Sequence, residues 1–222
     1  MNTAIIVAAG RGLRFGEQPK QFAPILGKPL LIHTLEKFEA SPAIDHIVLV
    51  LSPEGKETFE RLQEQFPIRK VSSVVTGGDT RAESVKNGLI AATADIVVVH
   101  DGARPLVTVD EITRTVEKAM ATGAACLVAA VTDTIKEADG DAITRTVDRS
   151  RLRRALTPQA FRYPILKQAF DSADLGVDVT DECYLVEKLG IPVAMVAGSV
   201  WNIKITHAED IAVAEALLKR AG

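Results

Sequence analysis

Six short apolar runs, separated by longer amphipathic stretches, constrain what this chain can fold into more than any other feature of its sequence. They are AIIVAA (4 to 9), HIVLVL (46 to 51), VSSVV (71 to 75), DIVVVH (95 to 100), ACLVAAV (125 to 131) and PVAMVA (192 to 197). Their apolarity is nearly continuous rather than alternating, which predicts strands buried on both faces. The stretches between them start with helix-capping signals: Ser52 before Pro53, Thr108 with Glu111 three residues on, and Thr206 with Glu209 three residues on. Strands alternating with helices give an α/β fold, a mostly parallel sheet covered by helices on both faces, with right-handed crossovers.

One segment breaks the rhythm. Residues 132 to 156, TDTIKEADGDAITRTVDRSRLRRAL, hold a turn-forming DGD between strand-like flanks, which predicts a protruding β-arm within an otherwise single domain spanning 1 to 222. Arg145, Arg149, Arg151, Arg153 and Arg154 crowd its end. A nucleic-acid surface is disfavoured there, because the segment carries Asp148 and no aromatic residue for base stacking. Charge overall is nearly balanced, 26 basic against 29 acidic residues, so no global field favours nucleic acid or a membrane. No apolar run approaches the ~20 residues that span a bilayer, and the N-terminal MNTAIIVAAGRG lacks a signal-peptide pattern, so a cytoplasmic protein is expected. Cys126 and Cys183 lack the spacing of a zinc site and read as reduced packing residues.

In an open parallel sheet, ligands bind beyond the carboxyl ends of the strands, so the residues after each apolar run matter most. The first is followed by Gly10, Gly12 and Gly16 with two cations, Arg14 and Lys20. Glycines let backbone amides approach phosphate oxygens, and cations neutralise a polyphosphate. The loop fits neither familiar phosphate template: Phe15 stands where a dinucleotide fingerprint needs a small residue, and a GK[ST] ending is absent. Gly77, Gly78 and Asp79 open a stretch that carries Arg81 and Ser84, a further helix N-terminus with backbone donors. Asp101 and Arg104 directly follow the fourth run, and Lys204 precedes the final helix. Of the four histidines only His100 is near this chemistry, and it reads as a buried strand-end residue bonded to backbone. Glycines, cations and carboxylates at several strand ends together point to a nucleoside triphosphate site.

The segments AAGRGLRFG, PKQF, GGDTRAESV, HDGARP, DTIK, VDR, LTPQ, TDE and NIK, in this order along the whole chain, resemble the 2-C-methyl-D-erythritol 4-phosphate cytidylyltransferase family. The resemblance implies a Rossmann-like fold of nucleotidyltransferase type and transfer of a cytidylyl group from CTP to methylerythritol phosphate, with release of pyrophosphate. It implies that Ala8, Ala9, Gly10, Gly12, Gly78, Asp79 and Ser84 hold CTP, and that Arg14, Lys20 and Lys204 stabilise charge in the reaction. Asp101, Arg104, Thr134, Arg149, Thr157 and Thr180 would meet the second substrate. It further implies magnesium carried mainly by the CTP phosphates, with no protein metal ligands, and a homodimer in which Thr134 and Arg149 of the arm serve the neighbouring subunit. A cytidylyltransferase for another polyol phosphate, such as ribitol 5-phosphate, shares several of these motifs, but AAG in the first loop and RAESV after GGD favour methylerythritol phosphate. A nucleotide sensor without catalysis is the other alternative, and retention of the three cations argues against it.

Overall fold

The structure is a computed structural model that describes residues 1–10, 19–174 and 179–221. Seven strands form one sheet: β1 (Asn2–Val7), β4 (His46–Leu51), β5 (Val71–Thr76), β6 (Ile96–Asp101), β7 (Ala124–Ala130), β10 (Arg153–Arg162) and β11 (Ala194–Ala197). Their spatial order is β11-β7-β10-β6-β1-β4-β5. Every neighbouring pair is parallel except the two made by β10, which runs against both β6 and β7. The chain leaves β1 toward β4 and β5, then returns to place β6 on the other side of β1. This reversal creates a crevice beyond the carboxyl ends of β1 and β6, where open sheets bind ligands.

Helices α1 (Leu30–Ala40), α2 (Pro53–Gln65) and α4 (Val109–Thr122) supply the apolar cluster on one face of the sheet, through residues such as Phe38, Phe59 and Ile112. Helices α3 (Arg81–Ala91), α5 (Tyr163–Asp171) and α6 (Glu182–Lys188) supply the other, through Val85, Phe170 and Val186. Strand residues divide between them by parity: Ala4 and Ile6 face the first cluster, Ile5 the second. The near-continuous apolar runs follow from this, because both faces of each central strand are covered, and each fully buried Ile, Leu or Val contributes about 1.5–3 kcal/mol relative to exposure. A third small cluster joins α7 (Glu209–Ala221) to the two-stranded β2 (Pro24–Ile25) and β3 (Lys28–Pro29) through Ile25, Ile205 and Ala214.

Two caps form as the sequence requires. The Ser52 hydroxyl accepts from the Gly55 amide with Pro53 in the first turn, and Thr108 and Glu111 complete a reciprocal capping box. The third differs. Helix α7 begins at Glu209, and the carboxylate that accepts the Thr206 and His207 amides, at 2.7 and 2.9 Å, belongs to Asp210 rather than Glu209. The preceding segment is held extended, with the Ile205 amide on the Ala103 carbonyl at 2.8 Å, so the helix starts too late for Thr206 to be its cap.

The strand that apolarity does not announce is β10, RRALTPQAFR, because a proline and several polar residues interrupt it. Pro158 falls in the register shift between Ala155 and Gln159, where the ladder with β7 needs no amide donor. Its first residues, Arg153 to Ala155, pair with Ala130 to Val128 in the main sheet, so the region expected to be arm up to residue 156 ends earlier. The arm itself is the hairpin β8 (Ile135–Asp139) and β9 (Ala142–Val147), which pair only with each other and are almost wholly exposed. Gly140 turns it with φ of 53°, a conformation that favours glycine.

Candidate active site

A cleft of about 530 Å³ opens beyond the carboxyl ends of β1 and β6. Ala8, Ala9 and Gly10 line it from the end of β1, Gly78, Asp79, Arg81 and Ser84 from the start of α3, Asp101 from the end of β6, and Lys20 and Lys204 from the loops above. Sequence positions almost two hundred residues apart thus meet at the reversal of strand order. Gly12 and Arg14 lie outside the described residues.

The wall under α3 owes its shape to small residues. A Cβ on Gly77 would fall 2.3 Å from the Ala9 Cβ, and one on Gly78 would fall 2.4 Å from the Glu83 Cβ, so only glycine permits these approaches. Sequence reasoning offered this turn as a source of backbone donors. Most are already engaged: the Gly77 amide donates to the Leu51 carbonyl (2.9 Å), the Gly78 amide to Ser84 Oγ (3.1 Å), and the Thr80 and Glu83 amides join a capping box. Ser84 donates its own proton to the Thr80 carbonyl at 3.0 Å. The turn is therefore a self-satisfied wall whose fit depends on shape, and Ser84 builds it from within.

Across the cleft, Asp101 is surrounded by cations. Arg81 Nε donates to Asp101 Oδ1 at 3.0 Å, and Oδ2 meets Lys204 Nζ at 2.9 Å and Arg104 Nε at 3.4 Å. Burial opposes ionisation of this carboxyl, but Arg81, Lys204 and Arg104 outweigh it and hold its pKa well below the usual carboxylate range. Asp101 is thus an acceptor and a counter-ion, and it is unsuited to take up a proton as a base. Lys20 Nζ donates to the carbonyl of Ile205 at 3.1 Å, which sets its ammonium one residue from Lys204.

Behind Asp101 a chain of hydrogen bonds fixes the strand end. Thr157 Oγ1 accepts from the Asp101 amide (3.1 Å) and lies 3.0 Å from His100 Nδ1, while His100 Nε2 lies 3.2 Å from the Arg104 carbonyl. Full burial pushes the His100 pKa down to about 3, so the ring is neutral at neutral pH. A carbonyl only accepts, so Nε2 carries the proton and Thr157 donates to Nδ1. His100 is the buried, backbone-bonded residue that the sequence indicated. Thr157 replaces a ladder bond at the point where β10 departs from β6, and it is 4% exposed. Arg104 Nη1 donates to the Asn202 carbonyl (2.8 Å), and Asn202 Nδ2 to the Thr157 carbonyl (2.9 Å), which links NIK to LTPQ.

The remaining expected residues stand apart. Thr134 and Arg149 are exposed beside the hairpin, and Arg149 Nη1 donates to the Thr132 carbonyl. Thr180 is exposed just before α6. None of these three lines the cleft of its own chain. Glu182 is the residue that sequence reasoning missed: it is fully buried and takes both Arg81 Nη1 (2.7 Å) and Nη2 (3.1 Å). No local signal marks it, since an acid in the first turn of a helix is ordinarily a solvated one. Among the described residues no group of three His, Cys, Asp or Glu side chains is placed to hold a metal ion, and no helix is long and apolar enough to cross a membrane.

The profile of the 2-C-methyl-D-erythritol 4-phosphate cytidylyltransferase family matches residues 2–220. The protein of that name from Pelotomaculum thermopropionicum is 48% identical, over 97% of this chain and 93% of its own length. That from Geobacillus kaustophilus is 44% identical, over 97% and 96%. The crystal structure of the Thermus thermophilus enzyme superposes with a TM-score of 0.80 at 34% identity, covering 97% of this chain and 98% of the other. The 4-diphosphocytidyl-2C-methyl-D-erythritol synthase from Anaerococcus prevotii gives a TM-score of 0.85 at 29% identity, covering 99% and 96%. The chain belongs to the 2-C-methyl-D-erythritol 4-phosphate cytidylyltransferase family, nucleotidyltransferases that join CTP to methylerythritol phosphate in the non-mevalonate isoprenoid pathway.

Proposed function

We propose that the cleft beyond the carboxyl ends of β1 and β6 is where this transfer takes place, with CTP held by Ala8, Ala9, Gly10, Gly12, Gly78, Asp79 and Ser84. The second substrate meets Asp101, Arg104, Thr157 and Thr180 on one subunit and Thr134 and Arg149 on the other. The observation that carries this reading is the convergence of Lys20 and Lys204 on the cleft lip, beside Asp101.

The nucleophile is a phosphate monoester whose second pKa is about 6, so near pH 7 it is already mostly dianionic and needs no general base. One of its oxygens forms a bond to the α-phosphorus of CTP in line. The bond from that phosphorus to the bridging β-oxygen breaks, and pyrophosphate carries the electron pair away. What the chain supplies is approach and charge: it brings two anions together and neutralises the extra negative charge on the α-phosphoryl oxygens. Arg14, Lys20 and Lys204 do this, while Asp101 orients a hydroxyl of the polyol.

The site suits a metal carried by phosphate. Asp101 has both oxygens committed to cations, and no cluster of ligating side chains stands nearby among the described residues. Magnesium, bound chiefly by the CTP phosphates and water, would supply further neutralisation. The hairpin is the dimer arm. Its exposed Ile143, together with an open depression lined by Val131, Met195, Val200 and Arg149, gives a second copy an apolar and cationic seat. A cytoplasmic setting accords with two free, buried cysteines.

Pyrophosphate release, measured with purified protein across four nucleoside triphosphates and two polyol phosphates, tests the reading. Release is expected with CTP and methylerythritol phosphate only. Equal release with ribitol 5-phosphate would overturn the assignment of the second-substrate contacts.

A further inference from the structure

We propose that Arg81, anchored by Glu182, is a positioning residue that sets the orientation of Asp101 and keeps Lys204 available to the reacting phosphates. The inference rests on the placement of the second substrate at Asp101.

Arg81 is the first residue of α3, separated only by the cap Thr80 from the GGD turn that walls the nucleotide side of the cleft. Its guanidinium reaches over to two acids brought by different elements. Two of its N–H groups take both oxygens of Glu182, at 2.7 and 3.1 Å, and Nε takes Asp101 Oδ1 at 3.0 Å. Glu182 is the first residue of α6 and follows Thr180 and Asp181. Asp181 is itself fixed, accepting from the Tyr184 amide and from Gln159 Nε2, each at 2.9 Å. One side chain thus ties the nucleotide turn, the end of β6 and the loop before α6 into a single unit.

A fully buried carboxylate is costly to desolvate, and an apolar pair of similar volume is often as stable or more so. Stability alone gives little reason to keep the Arg81–Glu182 pair. Geometry gives one. Among the described residues Asp101 has three cationic partners, of which Lys204 and Arg104 share Oδ2 while Arg81 alone holds Oδ1. Without Arg81, nothing in this set restrains Oδ1, and the carboxylate is free to turn both oxygens toward Lys204 and Arg104. Lys204 would then be drawn into a tighter pair with Asp101 and away from the phosphates. A lysine at position 81 cannot repair this, because a point charge lacks the planar fork that serves Glu182 and Asp101 at once. Glu182 touches no reacting atom in this scheme and acts only by holding Arg81 in place.

The test compares R81K, E182Q and the apolar double variant R81M/E182L with the unaltered enzyme, and includes D101N as a reference for the site itself. Thermal melting and circular dichroism report folding, calorimetry reports CTP binding, and steady-state kinetics report kcat and the KM for methylerythritol phosphate. The double variant is expected to melt near the unaltered protein and to bind CTP normally, yet to lose between about ten and a hundredfold in kcat/KM for methylerythritol phosphate. R81K is expected to lose similarly, and E182Q less than R81K. Near-normal kcat/KM in a folded R81M/E182L would assign the pair to structure only and overturn the proposal. If that variant does not fold, full activity in R81K overturns it equally. Loss in D101N without loss in the Arg81 variants refutes the positioning role alone, whereas an unaffected D101N refutes the placement of the second substrate.

Discussion

Lys204 and Asp101, 103 positions apart in the chain, form an ion pair of 2.9 Å at the mouth of the cleft, with Asp101 9% exposed at its side chain and Lys204 35%. The buried partner is the acid, and it keeps Arg81 and Arg104 when the lysine is removed. Lys204→Ala therefore leaves no orphaned charge and spares the fold. Turnover, by contrast, is expected to fall by roughly 10²-fold or more, and the same holds for Arg14→Ala and Lys20→Ala. Steady-state pyrophosphate release with melting curves checks this, and near-normal turnover in all three variants would sink the proposed charge stabilisation.

The proposed nucleotide site is walled by the close approach of Gly77 to Ala9, so nucleotide fit is expected to depend on it. Gly77→Ala places a Cβ 2.3 Å from the Ala9 Cβ and 2.8 Å from Ser84 Oγ, so the turn must move outward. CTP binding is expected to weaken by about tenfold or more, since misplacement of about an ångström has effects of that order and larger. Ser84→Ala acts on the same wall by leaving the Gly78 amide without its partner. Calorimetric titration with CTP measures both, and unchanged affinity in Gly77→Ala would show that this wall does not shape the nucleotide site.

The enzyme should lose stability as pH falls through the range where histidine ordinarily titrates. Burial holds His100 at about 3, whereas an unfolded histidine has a pKa of about 6.5. Between those values the unfolded chain binds the extra proton, so stability drops with falling pH by about 1.4 kcal/mol per unit, or about 2 kcal/mol from pH 6.5 to 5. Asp101 acts in the same direction, because its folded pKa is held low, but its loss begins only near the unfolded aspartate value of about 4. Denaturant melts at pH 7 and pH 5 resolve the two. His100→Gln should flatten the change across this interval, and an equal loss in that variant would assign it elsewhere.

If the hairpin serves the neighbouring subunit, Arg149 and Lys204 act in one site from different chains. Arg149→Ala and Lys204→Ala homodimers should each be nearly inactive. Mixing them after subunit exchange yields half heterodimers with one intact site each, which predicts recovery to about a quarter of normal activity for a twofold dimer. Absence of recovery, with exchange verified by labelled subunits, would place Arg149 in the cleft of its own chain.

Much of the architecture was legible because burial on both faces leaves a local trace. IIV, IVLVL and IVVVH can lie only in covered strands, and the capping pairs Ser52–Pro53 and Thr108–Glu111 are signals within four residues. The glycines and Asp101 were legible for a related reason, since polar residues at the ends of buried strands fall at the ligand edge of a parallel sheet. The cap of α7 was misread because tertiary tethering of Ile205 to Ala103, rather than local spacing, decided where that helix begins.

By itself the sequence determined the strands with apolar runs, the helices between them and the polar chemistry at their ends, all of which depend on interactions between residues close in the chain. Only the tertiary structure decided that β10 fills the gap between β6 and β7 against the direction of its neighbours, with Pro158 placed where no amide is needed. It alone decided that the Gly77 amide is spent on Leu51 and the Gly78 amide on Ser84, and that Glu182, which looks like a solvated helix-end acid, is buried against Arg81. The physical reason is the same in each case: which partner satisfies a buried polar group depends on what distant segments bring within hydrogen-bond distance, and local pattern carries no record of that.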